Sequence, residues 1–429
     1  MEVINRLRNS KFGKSVVMIA GGTASAQLLN TIFSPVITRI YTPEEYGILT
    51  AYVTIIGLSA LGAFKYEIGI LIAEDEKNAI NVFVLSLIVL FGYVTTITVV
   101  MILMRDSFMN LFNTENIDRY KYFIPVGILL LGLYQIIRQW AYRKRDFKTI
   151  AKTTITQSFL GNIIKVILGL IGFGAPGLIV GNIVKESAGI YTLSKPLRTL
   201  EKKYFNTINM NSIKKAAIRY KDFPLFNLPS HFLSNLATKL PIVFLGFLYG
   251  AEIVGLFGLA NIIVRLPMRL IGASVGDVFY SEAAHIGKKN PKRLKELSNN
   301  LMKKLIVLGI IPLSILFFFG SKLFNFAFGD TWNDAGIYAS IMSVMVFFML
   351  IFAPISRVYE VYEKQRVKFT IDVIKTILVL MVFGISWYFN FSSYISIIFY
   401  SIVMSSIYFI IYIYAQRIIN HEVIKKLNE

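Results

Sequence analysis

The sequence predicts an all-α membrane protein with twelve transmembrane helices. Three observations predict it: 55% of the 429 residues are hydrophobic, only 16% are charged, and the apolar residues form long blocks instead of amphipathic stripes. Soluble domains are about 45–50% apolar and about 25% charged. A block of about 20 apolar residues is long enough to cross roughly 30 Å of hydrocarbon as a helix. The blocks lack the alternation of a membrane β-strand, so helices are the expected spanning elements.

Twelve apolar segments are predicted to span the membrane. They cover residues 15–38, 45–64, 80–104, 122–141, 149–172, 176–195, 224–249, 252–284, 300–320, 333–356, 368–389 and 392–415. The longest polar stretch lies between the sixth and seventh of them. The chain is therefore expected to form an N-terminal six-helix lobe over 1–195, a basic cytoplasmic linker over 196–223 and a C-terminal six-helix lobe over 224–429.

The distribution of lysine and arginine predicts that both termini are cytoplasmic. Of the 45 Lys and Arg residues, 32 fall in the segments on the side of the N-terminus, five fall in the opposite segments and eight fall within spans. Such an excess marks the cytoplasmic side of a membrane protein. Topology and attraction to anionic lipid then explain most of the net charge of +20, and nucleic acid is not an expected partner.

Two short matches indicate an internal repeat. Residues 41–47 and 249–255 share Tyr, Glu and Gly at one spacing, with an offset of 208. Residues 162–168 and 372–378 match at an offset of 210. Because both halves would start on the cytoplasmic side, the repeat is predicted to be parallel, with its axis along the membrane normal.

Cations within spans are the leading candidates for function. A charge at the centre of a span costs about 2.5–3.5 kcal/mol on insertion scales, so these side chains should face a watery cavity or an acidic partner. Acidic residues in or near the spans are few, and a cavity that binds anions is therefore expected. The candidate substrate-binding residues are Arg265, Arg269, Lys239, Lys185 and Lys165.

Three further cations, Arg138, Lys152 and Lys375, lie near the predicted inner face. Their long side chains are expected to reach the interface. Asp372 precedes Lys375 by three residues, so the two could form a local ion pair or take part in the cavity. The sequence leaves both readings open.

Polar residues at helical spacing mark one face of several spans. Within a membrane such a face either binds helix to helix or lines a pathway. For the first span both readings remain open. The candidate cavity-lining residues are Gln27, Asn30, His231, Asn235 and Asn261.

Energy coupling is weakly marked in the sequence. There is no G-x-x-x-x-G-K-[ST] loop, no cysteine and only three scattered histidines, so neither ATP hydrolysis, a cofactor nor a metal site is expected. Coupling to H⁺ or Na⁺ is the alternative, because ionisable residues at membrane depth are commonly functional. The candidate coupling residues are Glu67, Glu186 and Asp277.

Residues 34–47 read Ser-Pro-Val-Ile-Thr-Arg-Ile-Tyr-Thr-Pro-Glu-Glu-Tyr-Gly and are followed by Lys65-Tyr66-Glu67. This pattern resembles the polysaccharide-transport family, the Wzx-like O-antigen and capsular repeat-unit flippases of the MOP (MATE-like) exporter superfamily. The resemblance implies two lobes in a V around a central cavity. It also implies transfer of an undecaprenyl-diphosphate-linked oligosaccharide to the outer leaflet of the bacterial cytoplasmic membrane by alternating access.

The resemblance also implies that the chain acts as a monomer, and it indicates the partners of the chain. They are the lipid-linked glycan, membrane lipids and, as candidates, a glycan polymerase and other assembly proteins. The alternatives within the same superfamily are a lipid II flippase and a small-solute or multidrug antiporter. An antiporter would use acidic cavity residues, whose negative charge is opposite to that of the candidate cations in this sequence. A membrane enzyme is not expected, because the longest outer loop, about 105–121, is short and has no paired carboxylates or histidine cluster.

Overall fold

The computed structural model describes residues 11–59, 63–103, 120–198, 204, 206–286 and 290–428. Most of the predicted outer loop 105–121 and part of the 196–223 linker lie outside these residues. Within the described ranges the chain is helical and contains no strand.

Seventeen helices are numbered here in chain order. They are α1 Lys11–Ile40, α2 Pro43–Ser59, α3 Ile68–Ile72, α4 Glu76–Leu103, α5 Phe123–Arg143, α6 Phe147–Leu170, α7 Ala175–Ser187, α8 Ile190–Leu193, α9 Lys195–Arg198, α10 Met210–Arg219, α11 Leu228–Val264, α12 Ala273–Ile286, α13 Pro291–Phe328, α14 Asn333–Phe352, α15 Val358–Val361, α16 Gln365–Tyr388 and α17 Ser393–Asn428. Short π-helical turns at Phe223–Asn227 and Met268–Gly272 precede α11 and α12.

Eight helical segments in the described part of the chain are long and apolar enough to cross a membrane. The chain is therefore a multi-pass membrane protein, as predicted. Each of the twelve predicted spans overlaps a helix, but the number of spans and their orientation stay predictions. The seventh and eighth spans meet within α11, where Gly250 adopts φ 85° and ψ −176° and interrupts the helix. Only glycine takes such a conformation without strain.

The chain forms two compact units, Met1–Glu252 and Ile253–Glu429. In the first unit, helices approach closely at small residues, as is usual in membranes. A Cβ on Gly22 would lie 2.9 Å from Ala151 on α6, and one on Gly161 would lie 2.8 Å from the carbonyl oxygen of Gly181 on α7. The adjoining core contains the fully buried Trp140.

The second unit is built around α13, α14 and α17. A Cβ on Gly320 of α13 would lie 2.6 Å from the carbonyl oxygen of Gly336 on α14, so these two helices also touch through glycine. Aromatic side chains fill the space beside α17, with the Phe352 and Tyr412 rings stacked at 4.7 Å. Ser401 of α17 donates a hydrogen bond to the Ile341 carbonyl at 2.9 Å.

A capping box joins α1 to α2 within the motif at residues 41–47. The backbone N–H of Glu45 donates to Thr42 Oγ1 at 3.3 Å, and the Glu45 carboxylate accepts from the Thr42 N–H at 2.9 Å. This reciprocal pair satisfies N–H groups that a helix start leaves open. Pro43 occupies the first helical position, where no N–H is needed. The Thr-Pro-Glu-Glu sequence therefore forms the capped N-terminus of α2.

Four helices end in a Schellman motif, in which one residue adopts a left-handed conformation. The two hydrogen bonds of the motif are present at Gly172, Asn390, Arg145 and Glu363. Glycine and asparagine are the usual residues at this position. Arg145 (φ 54°) and Glu363 (φ 56°) adopt it with a full side chain, which carries a steric cost.

Candidate functional site

The crossing of α6 and α7 at Gly161 and Gly181 places two cations side by side. A Cβ on Gly161 would lie 2.5 Å from Lys185 Cβ, and one on Gly181 would lie 2.3 Å from Lys165 Cγ. The aliphatic stems of Lys165 and Lys185 thus pack on the opposite helix where it has no side chain. Both were predicted substrate-binding residues, and the structure brings them together.

Lys165 is buried inside the first unit, with 7% of its surface exposed. The hydroxyl of Tyr41 donates to its backbone carbonyl oxygen at 2.7 Å. Because Tyr41 lies at the end of α1, this hydrogen bond fixes that end against the middle of α6.

Glu186 is the carboxylate beside these lysines. Lys165 interacts electrostatically with both Lys185 and Glu186. Glu186 is also within reach of the hydroxyls of Tyr52 on α2 and Tyr134 on α5. The cluster therefore contains two lysines and one carboxylate.

The polar face of the first span is used for helix packing. Asn30 Oδ1 accepts hydrogen bonds from Ser158 Oγ and Asn162 Nδ2, both at 2.8 Å. Ser158 also donates to the Ala26 carbonyl at 2.9 Å. These hydrogen bonds are of the kind expected for helix packing, and the cavity-lining role of Asn30 stays a prediction. Gln27 is half-buried one turn earlier on α1.

Glu67 occupies a buried corner between α2 and α3. It is 4% exposed, its Oε1 lies 4.0 Å from Lys65 Nζ, and its buried Oε2 has no hydrogen-bond partner among the described residues. Burial raises the pKa of Glu67 above its ordinary value, although Lys65 and a backbone N–H oppose that shift. The preceding residues Phe64 (φ 50°) and Lys65 (φ 63°) are both left-handed. Adjacent strained residues of this kind are concentrated at functional sites.

The short helix α3 that follows Glu67 is tied to its surroundings at both ends. Arg143 donates to the carbonyl oxygens of Ile70 and Ala73, at 3.1 and 2.7 Å, and so closes its C-terminus. Tyr66 donates to the Ala217 carbonyl of α10 at 3.4 Å. The Glu67 corner is therefore held between the end of α5 and the amphipathic helix α10.

Three predicted residues lie on the first half of α11. His231 is exposed, and Asn235 Nδ2 lies 3.0 Å from His231 Nδ1. Lys65 is within electrostatic reach of His231. Lys239 is half-buried and packs against α2, where a Cβ on Gly57 would lie 3.6 Å from Lys239 Cε.

In the second unit Arg265 is half-buried beneath α14 and α17. Its Nη1 contacts Met349 Sδ at 3.8 Å, and it lies within hydrogen-bonding reach of the Tyr400 hydroxyl and near Tyr408. These neighbours are neutral. Arg265 Nε and Asn261 Oδ1 are buried, and neither has a hydrogen-bond partner in the described part of the chain. The guanidinium thus retains donor capacity and charge.

Arg269 differs from Arg265 in its surroundings. It is exposed and belongs to the π-helical turn Met268–Gly272. The backbone leaves regular α-helix at Arg265, so the four-residue spacing does not give the two arginines equal burial. The side chain of Asp277, a predicted coupling residue, lies outside the described residues.

Two of the three cations that were expected near the inner face, Lys375 and Arg138, have local partners. Lys375 forms an ion pair with Asp372, which confirms the local reading of that pair. Arg138 donates to the Tyr142 hydroxyl at 2.8 Å. Neither Arg138 nor Lys375 was a predicted substrate-binding residue.

Sequence reasoning missed the tyrosines that surround these charges. Tyr400 and Tyr408 are eight residues apart on α17, which places them on one side of that helix. That spacing was a usable signal. Tyr52 and Tyr134 belong to different helices, and their proximity to Glu186 follows only from packing. Among the described side chains no group of three or more His, Cys, Asp or Glu could hold a metal ion.

The fold and the site define a multi-pass helical membrane protein with cations inside both of its units. The sequence matches the model of the family "Polysaccharide biosynthesis protein" over residues 36–337, well over half of the chain, and the chain belongs to that family. The Wzx-like resemblance of the motif is thereby confirmed at the level of the family. No curated protein matches the sequence.

Solved structures of the MOP superfamily share the fold. The lipid II flippase MurJ in an inward closed conformation matches with TM-score 0.73 and 14% identity, over 94% of this chain and 87% of that one. An inward-facing multidrug MATE transporter matches with TM-score 0.69 and 16% identity, over 92% and 95%. A MOP transporter from Pyrococcus furiosus, with a binding pocket of reverse polarity, matches with TM-score 0.59 and 14% identity, over 98% and 99%.

Proposed function

We propose that this protein is a flippase for an undecaprenyl-diphosphate-linked oligosaccharide repeat unit, of the O-antigen or capsular kind. It would act in the bacterial cytoplasmic membrane and transfer its substrate from the inner to the outer leaflet by alternating access. Membership of a polysaccharide biosynthesis family and the fold shared with a lipid II flippase support this proposal.

The observation that best supports the proposal is the environment of Arg265. Its guanidinium lies 3.8 Å from the Met349 sulfur and within hydrogen-bonding reach of the Tyr400 hydroxyl, and its buried Nε has no partner among the described residues. A cation with neutral neighbours and a vacant donor suits an anionic ligand. A diphosphate accepts paired hydrogen bonds from a planar guanidinium better than from an ammonium group.

The first unit supplies a second positive centre at Lys165 and Lys185. Glu186 balances one of the two charges. The candidate residues at both centres are basic, which argues against a carrier of cationic drugs, for which acidic residues would be expected. Lys239 and Arg269 remain candidates in this proposal, as do His231, Asn235 and Asn261 as polar residues along the path.

Coupling is proposed to occur through protonation of Glu67. A buried carboxylate with one unpartnered oxygen beside Lys65 can be neutral or charged according to the proton gradient. The left-handed residues Phe64 and Lys65 lie shortly before it in the chain. Glu186 and Asp277 are the alternatives for this role.

Surface glycan display in cells tests the proposal. Arg265→Gln should strongly reduce display while the amount of protein in the membrane is retained, and Arg265→Lys should keep part of the activity because the charge survives. Arg366→Gln is the matched control, because Arg366 is exposed on the same unit. Normal display with Arg265→Gln would reject the role of Arg265. Loss of the protein together with display would indicate that Arg265 serves packing instead.

A further inference from the structure

The amphipathic helix α10 has an exposed side that the packing of the first unit does not use. Its inward side holds Ile213 and Ala216, which join the core cluster of Trp140. On another side, exposed residues follow one another at spacings of four, four, three and four, and positions three or four apart share one side of a helix. These residues are named the α10 stripe and are Met210, Lys214, Ile218, Lys221 and Leu225.

Three members of the α10 stripe are apolar. Met210 is 74% exposed, Ile218 is 58% exposed and Leu225 is 59% exposed. Single exposed apolar side chains need no explanation, but a row of them on one side of a helix marks an interaction surface. The α10 stripe is therefore expected to contact something other than water.

The two remaining members are lysines. Neither Lys214 nor Lys221 forms an ion pair with a carboxylate in the described part of the chain. The neighbouring carboxylate is that of Asp222, and Lys215 of α10 offsets its charge. The α10 stripe thus combines positive charge with apolar surface, which complements a partner that is both anionic and apolar.

The connection to α11 places the α10 stripe at the boundary of the membrane. The predicted seventh span begins at residue 224, five residues after the end of α10. Backbone hydrogen bonds from Phe223 to Tyr220 and from Leu225 to Lys221, at 3.1 and 3.2 Å, keep this connection coiled. Five residues of helical backbone rise about 7.5 Å, and each headgroup layer is about 5–7.5 Å thick. The end of α10 therefore lies at the depth of the lipid headgroups.

The contacts of α10 indicate the same depth. Tyr66 donates to the Ala217 carbonyl at 3.4 Å, and Arg219 pairs with Glu74 at 2.6 Å. Tyr66 and Glu74 belong to the segment between the second and third predicted spans, which the charge distribution predicts to be cytoplasmic. Two segments from separate parts of the chain thus meet beside α10 on one side of the membrane.

We propose that the α10 stripe lies on the cytoplasmic surface of the membrane and binds anionic phospholipid. Ile218 and Leu225 would enter the boundary between headgroups and acyl chains, and the ammonium groups of Lys214 and Lys221 would bind headgroup phosphates. Basic helices with an apolar side bind anionic membranes in this way. This inference does not rest on the proposed function, because it concerns bulk lipid beside the protein and holds whatever the chain transports.

Fluorescence quenching of a label at residue 218 tests where the α10 stripe lies. Ile218→Cys gives the full-length protein a single cysteine, which is labelled with NBD in nanodiscs of phosphatidylcholine and phosphatidylglycerol. A nitroxide near the headgroup end of an acyl chain should quench this label strongly, and aqueous iodide should quench it weakly. Lys215→Cys is the matched control, because Lys215 is exposed on α10 but points about 100° away from Lys214. Its label should show the reverse preference.

Two outcomes of this measurement would overturn the inference. Strong quenching of the residue 218 label by iodide, without quenching by the nitroxide lipid, would place the α10 stripe in water. Protection of the label from both quenchers would show that a second copy or another protein covers the stripe.

Replacement of the two lysines tests the preference for anionic lipid. In the Ile218→Cys protein, Lys214→Gln with Lys221→Gln should raise the phosphatidylglycerol fraction for half of the NBD response by about fivefold or more, since each lysine near an anionic surface adds attraction. Lys148→Gln with Lys292→Gln removes the same charge from two other exposed positions and should leave that fraction unchanged. Equal changes in both double variants, or an NBD response that is independent of phosphatidylglycerol, would contradict the inference.

Discussion

Tyr41 donates its hydroxyl hydrogen to the backbone carbonyl of Lys165, at 2.7 Å, although 124 residues separate them. The bond joins the motif at the α1–α2 turn to the helix that carries the buried cation. Tyr41 is itself 3% exposed. The motif thus has a structural function, which is to fix α1 and α2 relative to Lys165.

Removal of this hydrogen bond should destabilise the protein. Tyr41→Phe leaves the Lys165 carbonyl without that donor, and a loss of about 1 kcal/mol is expected, since a buried hydrogen bond typically contributes that much. Thermal unfolding of the purified protein measures it. Tyr52→Phe is the control, because the Tyr52 hydroxyl bonds the Phe123 carbonyl at a longer 3.3 Å and should lose less. An equal or smaller loss for Tyr41→Phe would contradict this account of the motif.

The left-handed turn after α5 should be improved by glycine. Arg145 has φ 54° and completes a Schellman motif with its own N–H and that of Asp146. Arg145→Gly removes a steric cost of about 1 kcal/mol and should raise the melting temperature. Gly172→Ala, at the equivalent position after α6 (φ 79°), should lower it. A decrease with Arg145→Gly would show that the arginine side chain contributes more than the backbone strain costs.

Glu67 should make stability depend on pH in a defined direction. Burial raises the pKa of Glu67 above 4.5 in the folded protein, so the folded state holds this proton more tightly than the unfolded state. The contribution of Glu67 to stability should therefore be greatest below pH 4.5 and should be lost as the pH rises through the folded pKa. Glu67→Gln should remove this decrease and stabilise the protein at neutral pH.

Glu74 provides the contrast for that experiment. Its hydrogen bond with Arg219 lowers the pKa of Glu74, so its contribution is present above pH 4.5 and is lost as the pH falls through the folded pKa. The pair is exposed, and the effect of Glu74→Gln should be small and of opposite sign. Unfolding curves between pH 4 and 8 compare both variants, and the same slope for Glu67→Gln and the parent protein would remove Glu67 from the coupling proposal.

Labelling of introduced cysteines tests the predicted orientation. The chain has no native cysteine, and Lys214 is exposed on α10, within the segment predicted to be cytoplasmic. Lys214→Cys should react with a membrane-impermeant maleimide only after the cells are opened. Lys322→Cys, in a predicted outer segment, should react in intact cells. Reaction of Lys214→Cys in intact cells would reverse the orientation.

Most of the helices could be predicted from the sequence, because long apolar blocks have no alternative structure within lipid. The interruption of α11 near Gly250 also could be predicted, since the seventh span was expected to end at residue 249 and the eighth to begin at residue 252. The side chains that surround the charged residues could not be predicted from the sequence. The proximity of Tyr134 on α5 to Glu186 on α7 depends on packing between helices that are distant in sequence, which no local pattern encodes.

The same limit applies to Arg265 and Lys152. Arg265 is half-buried and Arg269 is exposed, and a π-helical turn begins at Met268 between them. Lys152 was expected only to reach the interface, and it lines a cavity at the beginning of α6 because residues 188–196 fold back against that helix. Departures from regular helices and contacts distant in sequence are set by packing.

Transport by the purified protein tests the central claim most directly. The measurement is transfer of a fluorescent undecaprenyl-diphosphate oligosaccharide across the membrane of reconstituted vesicles, with a proton gradient and without ATP. The account predicts gradient-dependent transfer by the parent protein and by Arg366→Gln, and a loss of about tenfold or more with Arg265→Gln. Equal transfer by the Arg265→Gln and parent proteins, or transfer that strictly requires ATP, would contradict it.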